Sequence, residues 1–346
     1  HITDKTDYQN IPAFAGALEF EKKEGAHITM GILYPFIQSE GNAWEYTHDF
    51  LIRYYERVLS KLSHLEKIPT LPNSLLKKSN QEVPEIMQEL IGGPFMEMAY
   101  QLGKRTAEMH QALAGTTQDP DFKPQPFSLL YQRSLYQSIQ SQIKRIFQSL
   151  RKNKRRWPET IQTDLQQVLN LESNLLDYCR NILAKKISAQ KIRIHGDYHL
   201  GQVLYTGNDF YIIDFEGEPA RPLGERRLKR SPLKDVAGML RSFHYAAFSP
   251  LIQQQLTGDY QTMEPWAKLW TYYISKTFLD SYLEHIHAPI IPVKRSDINQ
   301  LLSLYLLEKA VYEIGYELNN RPDWLAIPVK GILYEIGAIY EEKKEG

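Results

Sequence analysis

Residues 17–37 have the sequence pattern of a β-hairpin. Apolar and polar positions alternate over 17–23, a turn follows at 24–26, and 27–37 is rich in β-forming residues. We expect the second strand to be more buried than the first. It ends near Pro35, whose nitrogen cannot donate a hydrogen bond within a central strand.

Beyond residue 41, apolar residues recur with the period of an α-helix. Four stretches have this period: 44–62, 95–113, 128–152 and 158–187. Asn42 is a suitable N-cap for the first of them. After a return to β-type sequence at 191–218, the chain is again mostly helical, with Ser231 as N-cap and Pro232 at the first helical position. This order of elements predicts an α+β fold.

The composition is that of a folded protein without a charge bias. The 346 residues include 41 Lys+Arg and 41 Asp+Glu, so the formal net charge is zero and we expect no nucleic-acid partner. No run of about 18 uncharged apolar residues occurs, so the sequence predicts no membrane span. Cys179 is the only cysteine. We interpret it as a small core residue, and a reducing cytoplasm is the expected location.

The segment 194–217 contains the residues that predict chemistry. A loop carries Asp197 and, five residues later, Gln202; a strand, a tight turn at 207–209 and a returning strand then lead to Asp214. A hairpin of this length brings Asp214 back towards Asp197 and Gln202. We therefore expect three oxygen-bearing side chains to converge on one place.

Such a set of side chains suits phosphoryl transfer. In a kinase catalytic loop, one Asp accepts the proton of the acceptor hydroxyl and an amide five residues later holds Mg²⁺, while a second Asp on the next hairpin links the metal to the nucleotide phosphates. The sequence thus predicts Asp197 as the base, and Gln202 and Asp214 as metal ligands. Three unrelated polar residues on a surface hairpin are the alternative, which the joint spacing disfavours. We interpret His195 as a brace for the loop backbone, and the role of His199 stays open.

These motifs resemble a known group of enzymes. His195-Gly196-Asp197 with Gln202, followed by Ile213-Asp214-Phe215, resembles the aminoglycoside-phosphotransferase superfamily, whose fold is protein-kinase-like. More narrowly, the chain is similar over nearly its whole length to the maltokinase family, including the kinase region of trehalose synthase–maltokinase fusions. The residues that carry this similarity are 41–46, 194–204, 214–219, 225–240, 307–313 and 316–324.

The resemblance implies a fold, a reaction and its partners. The fold is a partial β N-lobe at 1–39, ending in the hinge, and a large helical C-lobe at 40–346 that includes the catalytic loop and metal-binding hairpin at 191–217. The reaction is ATP-dependent, Mg²⁺-assisted phosphorylation of maltose at its anomeric hydroxyl, giving maltose 1-phosphate for α-glucan synthesis. The partners are ATP, maltose and a trehalose synthase domain, fused or separate. Pro35, Phe36 and Ile37 form the nucleotide hinge, and Asp235 is the buried acid that braces the catalytic loop.

The helical stretch around residue 310 has two different faces. At about 100° per residue, one face is an apolar core stripe, made of Leu307, Val311, Ile314 and Leu318. The opposite face carries Tyr305, Lys309, Tyr312 and Tyr316. Aromatic rings with a hydroxyl tip suit a sugar, although packing against a neighbouring helix is the alternative. The resemblance implies that Lys309, Tyr312 and Tyr316 contact maltose. Trp324 is interpreted equally well as a lid over the site or as a core anchor.

One expected element of the kinase fold is missing from the sequence. Kinase-like folds have a phosphate-binding lysine on a strand upstream of the hinge, and no segment before Ala17 resembles such a strand. Lys22 and Lys23 lie beside a turn instead. We therefore expect this chain to be a piece of something longer that turns over slowly by itself. Two other functions stay open: a non-catalytic maltose- or glucan-binding partner of a trehalose synthase, and a kinase for another sugar or amino sugar.

Overall fold

The computed structural model describes most of the chain. The described residues are 2–21, 27–64, 67–72, 75, 83–115, 119–253 and 258–334. The turn expected at 24–26, together with Lys22 and Lys23, lies outside them. The elements mix helices with three two-stranded antiparallel sheets, which confirms the α+β prediction.

The N-terminal hairpin forms as predicted, but its burial differs. Strand β1 (Gly16–Glu21) pairs with β2 (His27–Leu33), with a bulge between Leu18 and Glu19. The expectation of a more buried second strand is wrong, because Met30 is 67% exposed and Leu18 is 65% exposed. Alternation decides which side chains share a face, whereas burial needs a covering layer, and the described residues supply none there.

Most of the chain is helical. The helices are α1 (Ala43–Lys61), α2 (Glu85–Ile91), α3 (Gly93–Leu113), α4 (Leu129–Lys152), α5 (Gln162–Asn170), α6 (Glu172–Arg180), α7 (Leu223–Arg226), α8 (Leu233–Ile252), α9 (Tyr260–His285) and α10 (Arg295–Asn320). Residues 326–334 are helical as well. Among the described residues, no helix is both long enough and apolar enough to cross a membrane.

The predicted helix starts are largely correct. The Asn42 side chain accepts a hydrogen bond from the Glu45 N–H at 2.9 Å, and the Glu45 carboxylate accepts one from the Asn42 N–H. This capping box begins α1 where the sequence predicts it. Helix α8 begins one residue later than expected, with the Ser231 hydroxyl accepting a hydrogen bond from the Leu233 N–H at 3.4 Å.

One predicted helix is wrong in its length. The stretch 158–187 is divided into a short 3₁₀ turn, α5, α6 and a second 3₁₀ turn. The break falls at Leu171, whose backbone angles are φ −88° and ψ 5°. It follows Asn170, a weak helix former. The amphipathic pattern of the sequence therefore continues across a point at which the helix is interrupted.

The core is built around α8, which is buried along almost its whole length. Helix α8 packs against α9 and α10, and α3 packs against α9. Cys179 is fully buried, as the sequence predicts. Two small sheets complete the structure: β3 (Gln125–Pro126) with β4 (Gln190–Lys191), and β5 (Val203–Tyr205) with β6 (Phe210–Ile212). The second of these carries the candidate active site.

Candidate active site

The hairpin β5–β6 brings the predicted metal ligands together. Val203 pairs with Ile212, so the residues just outside this pair, Gln202 and Ile213, also face each other. The Ile213 N–H donates to the Gln202 carbonyl at 3.0 Å, and the Gln202 side-chain amide donates to Asp214 Oδ2 at 2.8 Å. Strand pairing therefore makes neighbours of two side chains that are twelve residues apart in sequence.

Asp214 has an unusual backbone. Its φ is +63°, and it is the one non-glycine residue in the described chain with a left-handed conformation. That conformation typically costs about 1 kcal/mol or more and persists where the surroundings enforce it. Here the hairpin ends at Ile212 and the chain turns sharply at Asp214, which keeps the carboxylate beside Gln202 instead of continuing the strand.

Asp197 is partly buried, near one positive charge, that of Lys309, and two other carboxylates. Its side chain is 17% exposed, and its Oδ1 lies 3.9 Å from Lys309 Nζ. Burial raises the pKa of Asp197 to about 6, the Lys309 charge opposes this rise, and the Glu218 and Asp214 carboxylates add to it. A carboxyl group with a pKa near 6 is ionised at neutral pH and still basic enough to accept a proton.

The loop before Asp197 is held by its backbone. Asp235, buried at the start of α8, accepts hydrogen bonds from the His195 N–H at 2.8 Å and the Gly196 N–H at 3.0 Å. His110 bonds the same carboxylate at 3.1 Å. Burial by itself would raise the pKa of Asp235, but the hydrogen bonds and the neighbouring histidines lower it overall. The bracing role expected of Asp235 is confirmed.

Both histidines of the loop act as structural acceptors. The Asp197 N–H donates to His195 Nδ1 at 3.3 Å, so His195 Nε2 carries the proton and donates to the Ile213 carbonyl at 2.8 Å. His195 thus ties the catalytic loop to the chain just before Asp214, as its bracing role requires. His199 Nδ1 accepts from the Gly201 N–H at 3.0 Å, and burial with the nearby Lys309 lowers the pKa of His199 to about 4. A neutral His199 therefore caps the turn that leads to Gln202.

Helix α10 presents Lys309 and Tyr312 to Asp197, and both line the same cavity as Asp197. The Tyr312 hydroxyl donates to Glu218 Oε1 at 2.9 Å, and Lys309 Nζ lies 3.9 Å from Glu218 Oε2. Tyr316 is 45% exposed and stacks on Tyr312, with 6.4 Å between ring centroids. Tyr316 does not line the cavity itself.

The other residues of α10 bear on the two helix faces predicted from the sequence. The core stripe is confirmed, since Leu307, Val311, Ile314 and Leu318 are all fully buried. Tyr305 lines the Asp197 cavity with Lys309 and Tyr312, as its place on that face predicts, but it is buried at 1% exposure with Lys234 over its ring. Trp324 stacks on Tyr245 and against Arg321, beside the core and outside the Asp197 cavity, which favours the core-anchor interpretation.

The sequence did not assign a role to four charged residues of this cavity. Glu308 accepts a hydrogen bond from Lys234 at 2.6 Å and lies 3.7 Å from Arg221, and all three line the cavity with Glu218. Glu218 is only four residues from Asp214, so its position in the motif was the one available signal. The Lys234–Glu308 pair joins two helices 74 residues apart, which sequence spacing does not reveal.

The donor set at Gln202 and Asp214 meets part of what Mg²⁺ requires. Both side chains offer oxygen ligands and lie in hydrogen-bond contact. Within the described part of the chain, no group of three or more His, Cys, Asp or Glu side chains forms a cation site by itself. Mg²⁺ characteristically binds one or two protein oxygens together with phosphates and water, so this pair fits Mg²⁺ carried by a nucleotide.

The predicted hinge residues are not among the described residues that line the Asp197 cavity. Pro35 and Phe36 are exposed, Phe36 at 90%, and Ile37 is partly buried. Shortly after them, the Glu40 N–H donates to the Tyr205 carbonyl at 2.8 Å. The chain that follows the hinge is therefore fastened to β5, and the assignment of adenine binding to these residues stays a prediction.

Comparison with known proteins supports the kinase-like architecture. A model of the phosphotransferase enzyme family (APH) matches residues 86–270. This range includes Asp197, Gln202 and Asp214 but ends before Lys309 and Tyr312. The match therefore covers the loop with Asp197 and the β5–β6 hairpin but not α10.

Curated relatives and solved structures point the same way. A glucosamine kinase from Streptacidiphilus jiangxiensis is 25% identical over 139 residues, which are 40% of this chain and 30% of that protein. One from Mycolicibacterium smegmatis is 30% identical over 140 residues, 39% of this chain and 32% of that protein. The matched region thus spans about a third of these relatives' length.

A solved glucosamine kinase in complex with glucosamine, ADP and inorganic phosphate superposes with a TM-score of 0.69 at 18% identity, over 97% of this chain and 70% of that one. A second crystal form of glucosamine kinase gives 0.67 at 17% identity, over 96% and 67%. These likenesses confirm the kinase-like fold.

Proposed function

Since this chain belongs to the phosphotransferase enzyme family, we propose that it transfers the γ-phosphoryl group of ATP to a sugar, with maltose as the acceptor and maltose 1-phosphate as the product. The observation that carries the proposal is the position of Asp197. Its carboxylate feels the charge of Asp214, the partner of Gln202, and it lines one cavity with Lys309 and Tyr312. A cytoplasmic location, where ATP is available, belongs to the same proposal.

The reaction assigns one task to each of these residues. Asp197 accepts the proton of the anomeric hydroxyl as that oxygen bonds to the γ-phosphorus, and the bond to the bridging oxygen breaks to release ADP. Gln202 and Asp214 would hold Mg²⁺, which neutralises negative charge on the phosphates. The raised pKa of Asp197 suits the base, because it is ionised near neutral pH and gains affinity for a proton from its buried position.

The acceptor side supports a disaccharide. Tyr312 and Tyr316 stack with an interplanar angle of 24° and extend the aromatic surface outward from the cavity. Such a surface can cover more than one pyranose ring, and the C–H faces of a sugar pack well on aromatic rings. Lys309 lies over the Tyr312 ring at 5.1 Å, where its ammonium group can donate to sugar oxygens.

An amino sugar is the second candidate, and Glu218 is the observation that favours it. Glu218 and Asp197 share a single lysine, Lys309, at 3.9 Å each, and Asp214 adds negative charge near Asp197, which leaves negative charge for the ammonium group of an amino sugar. The curated relatives are glucosamine kinases, although the regions they match exclude most of the chain. A non-catalytic partner of a trehalose synthase is less well supported, because a pure binding module has no need of converging Asp197, Gln202 and Asp214.

A coupled assay of ADP release tests the proposal. Maltose, glucose, trehalose and glucosamine are supplied as acceptors. We expect ADP release that depends on maltose. Release that depends on glucosamine and not on maltose would select the second candidate, and the absence of release with every sugar would contradict the kinase proposal.

Two variants separate chemistry from binding. Asp197→Asn should abolish turnover while calorimetric maltose binding stays nearly intact. Tyr312→Ala should raise KM for maltose, whereas Tyr100→Ala, which removes a contact to Glu284 on α9, should not. Equal KM values for the two tyrosine variants would refute the ligand face on α10.

A further inference from the structure

A second cavity lies on the side of the helical body formed by α8, α9, α10 and the helical residues 326–334. We call it the α8–α9 cavity. Its walls include the apolar side chains Leu240, Phe248 and Leu306 and the ring of Tyr272. None of the residues that line it also lines the Asp197 cavity. It is therefore not a part of the proposed active site.

Basic side chains outnumber acidic ones around this cavity. Arg241, Lys268 and Lys330 line it. Arg241 bonds Glu313 through Nε at 2.9 Å and Nη2 at 2.6 Å, while Lys268 and Lys330 both lie 3.4 Å from the same oxygen of Glu264. Three cations thus face two carboxylates. One carboxylate oxygen at 3.4 Å cannot satisfy two ammonium groups, each of which has three N–H donors.

Two polar atoms in the walls are buried without a protein partner. Among the described residues, neither His244 Nδ1 nor Thr271 Oγ1 makes a hydrogen bond. A threonine in a helix can bond the carbonyl four residues earlier, as Thr277 does to Tyr273 at 2.9 Å and Thr106 does to Leu102 at 2.7 Å. Thr271 does not. A buried polar group without a partner is unfavourable, so these two atoms indicate a polar ligand in the cavity.

The charges around the α8–α9 cavity indicate that this polar ligand is an anion. Burial, together with Arg241 and Lys268, lowers the pKa of His244 far below its usual range, so its imidazole is neutral and can donate only one hydrogen bond. Burial disfavours a charge of either sign, whereas the positive charges of Arg241 and Lys268 favour an anion in this space. The apolar walls at Phe248 and Leu306 require that this anion also have a non-polar body.

We propose that the α8–α9 cavity is a second binding site, specific for a small organic anion with an apolar ring. Lys268 and Lys330 hold its carboxylate or phosphate group, Thr271 and His244 complete the hydrogen bonds, and the ring packs on Phe248. Carboxylates and phosphate esters share this chemistry. The site is independent of the sugar kinase reaction.

Calorimetric titration of the chain without Mg²⁺ tests the proposal with three probes: benzoate, phenyl phosphate and the uncharged benzyl alcohol. We expect saturable binding of at least one anion with a Kd of about 1 mM or tighter, and at least tenfold weaker binding of benzyl alcohol. Preference for benzoate or for phenyl phosphate then identifies the head group. Absence of saturable binding by both anions, or equal binding of benzyl alcohol, would overturn the proposal.

Variants locate the bound anion. The double variant Lys268→Gln/Lys330→Gln should weaken binding at least tenfold, while Lys144→Gln, an exposed lysine on α4 outside both cavities, should leave it unchanged. Thr271→Val should weaken binding without altering the shape of the side chain. Unchanged affinity in the double variant with a wild-type melting curve, or displacement of the anion by maltose, would also refute the site.

Discussion

Lys309 controls the protonation of the proposed base, and its replacement is the sharpest test of the site. Its ammonium nitrogen lies 3.9 Å from Asp197 Oδ1 and 3.9 Å from Glu218 Oε2. Burial raises the pKa of Asp197 to about 6, and Lys309 acts against that rise. Lys309→Met keeps the length of the side chain and removes its charge. Because a nearby cation favours the carboxylate form, its loss should raise the pKa of Asp197 further.

The size of the shift follows from distance and exposure. Two unit charges about 4 Å apart interact by about 4 kcal/mol at an effective dielectric constant of about 20. Lys309 is 31% exposed and is shared between Asp197 and Glu218, so solvent screening reduces the usable part to about 1–2 kcal/mol. That free energy corresponds to a rise of about one unit in the pKa of Asp197, from about 6 to about 7.

The measurement is a carboxyl ¹³C NMR titration between pH 4 and 9, with the Asp197 signal assigned by its absence in Asp197→Asn. We expect the midpoint near pH 6 in the parent chain and about one unit higher in Lys309→Met. Lys309→Arg keeps the charge and should stay near the parent value. If turnover is measured, the pKa of the acidic limb of the pH–rate profile should rise by the same amount in Lys309→Met. A midpoint that stays in place or falls in Lys309→Met would refute the reasoning.

Three further predictions concern packing around the catalytic loop and in the core. Asp235→Asn replaces a carboxylate that accepts hydrogen bonds from two N–H groups of the loop. It should lower the free energy of unfolding, measured in urea, by about 2–4 kcal/mol. A loss below about 0.5 kcal/mol, the size expected of a surface substitution, would contradict its bracing role. Gly238→Ala would place a methyl group 2.6 Å from the Tyr198 carbonyl oxygen and should lower the free energy of unfolding by about 1–3 kcal/mol. Gly93→Ala, whose methyl group would meet no atom within 4 Å, should lower it far less. Equal losses would show that the close contact is unimportant. Burial raises the pKa of Cys179 to about 12, so a disulfide reagent at pH 8 should label this thiol only after unfolding; fast labelling of the native chain would exclude its buried position.

The local order of the chain could be predicted because its signals lie within a few residues. Asn42 and Glu45 are three residues apart, so their reciprocal capping of α1 depends on local geometry alone. The same holds for the hairpin that carries Gln202 and Asp214, whose turn length determines which residues face each other. The convergence of these two side chains was therefore predictable, while the left-handed backbone of Asp214 was not.

Errors arose wherever burial depends on distant segments. The hairpin of β1 and β2 was predicted correctly, yet both strands are exposed because no described element covers them. Tyr305 lines the same cavity as Lys309, as their shared face predicts, but Lys234 lies over its ring and leaves it only 1% exposed. A periodic pattern indicates which residues share a face, and only the assembled structure decides what packs against that face.

The sequence by itself indicated the phosphotransferase class, because the side chains proposed to be catalytic lie within eighteen positions, Asp197 to Asp214, on one loop and one hairpin. The tertiary structure decided the surroundings that adjust their chemistry. Lys309 reaches Asp197 from more than one hundred residues away, Asp235 braces the loop from α8, and Glu218 adds a carboxylate beside them. Electrostatic interactions depend on distance in space and on burial, neither of which spacing along a chain specifies.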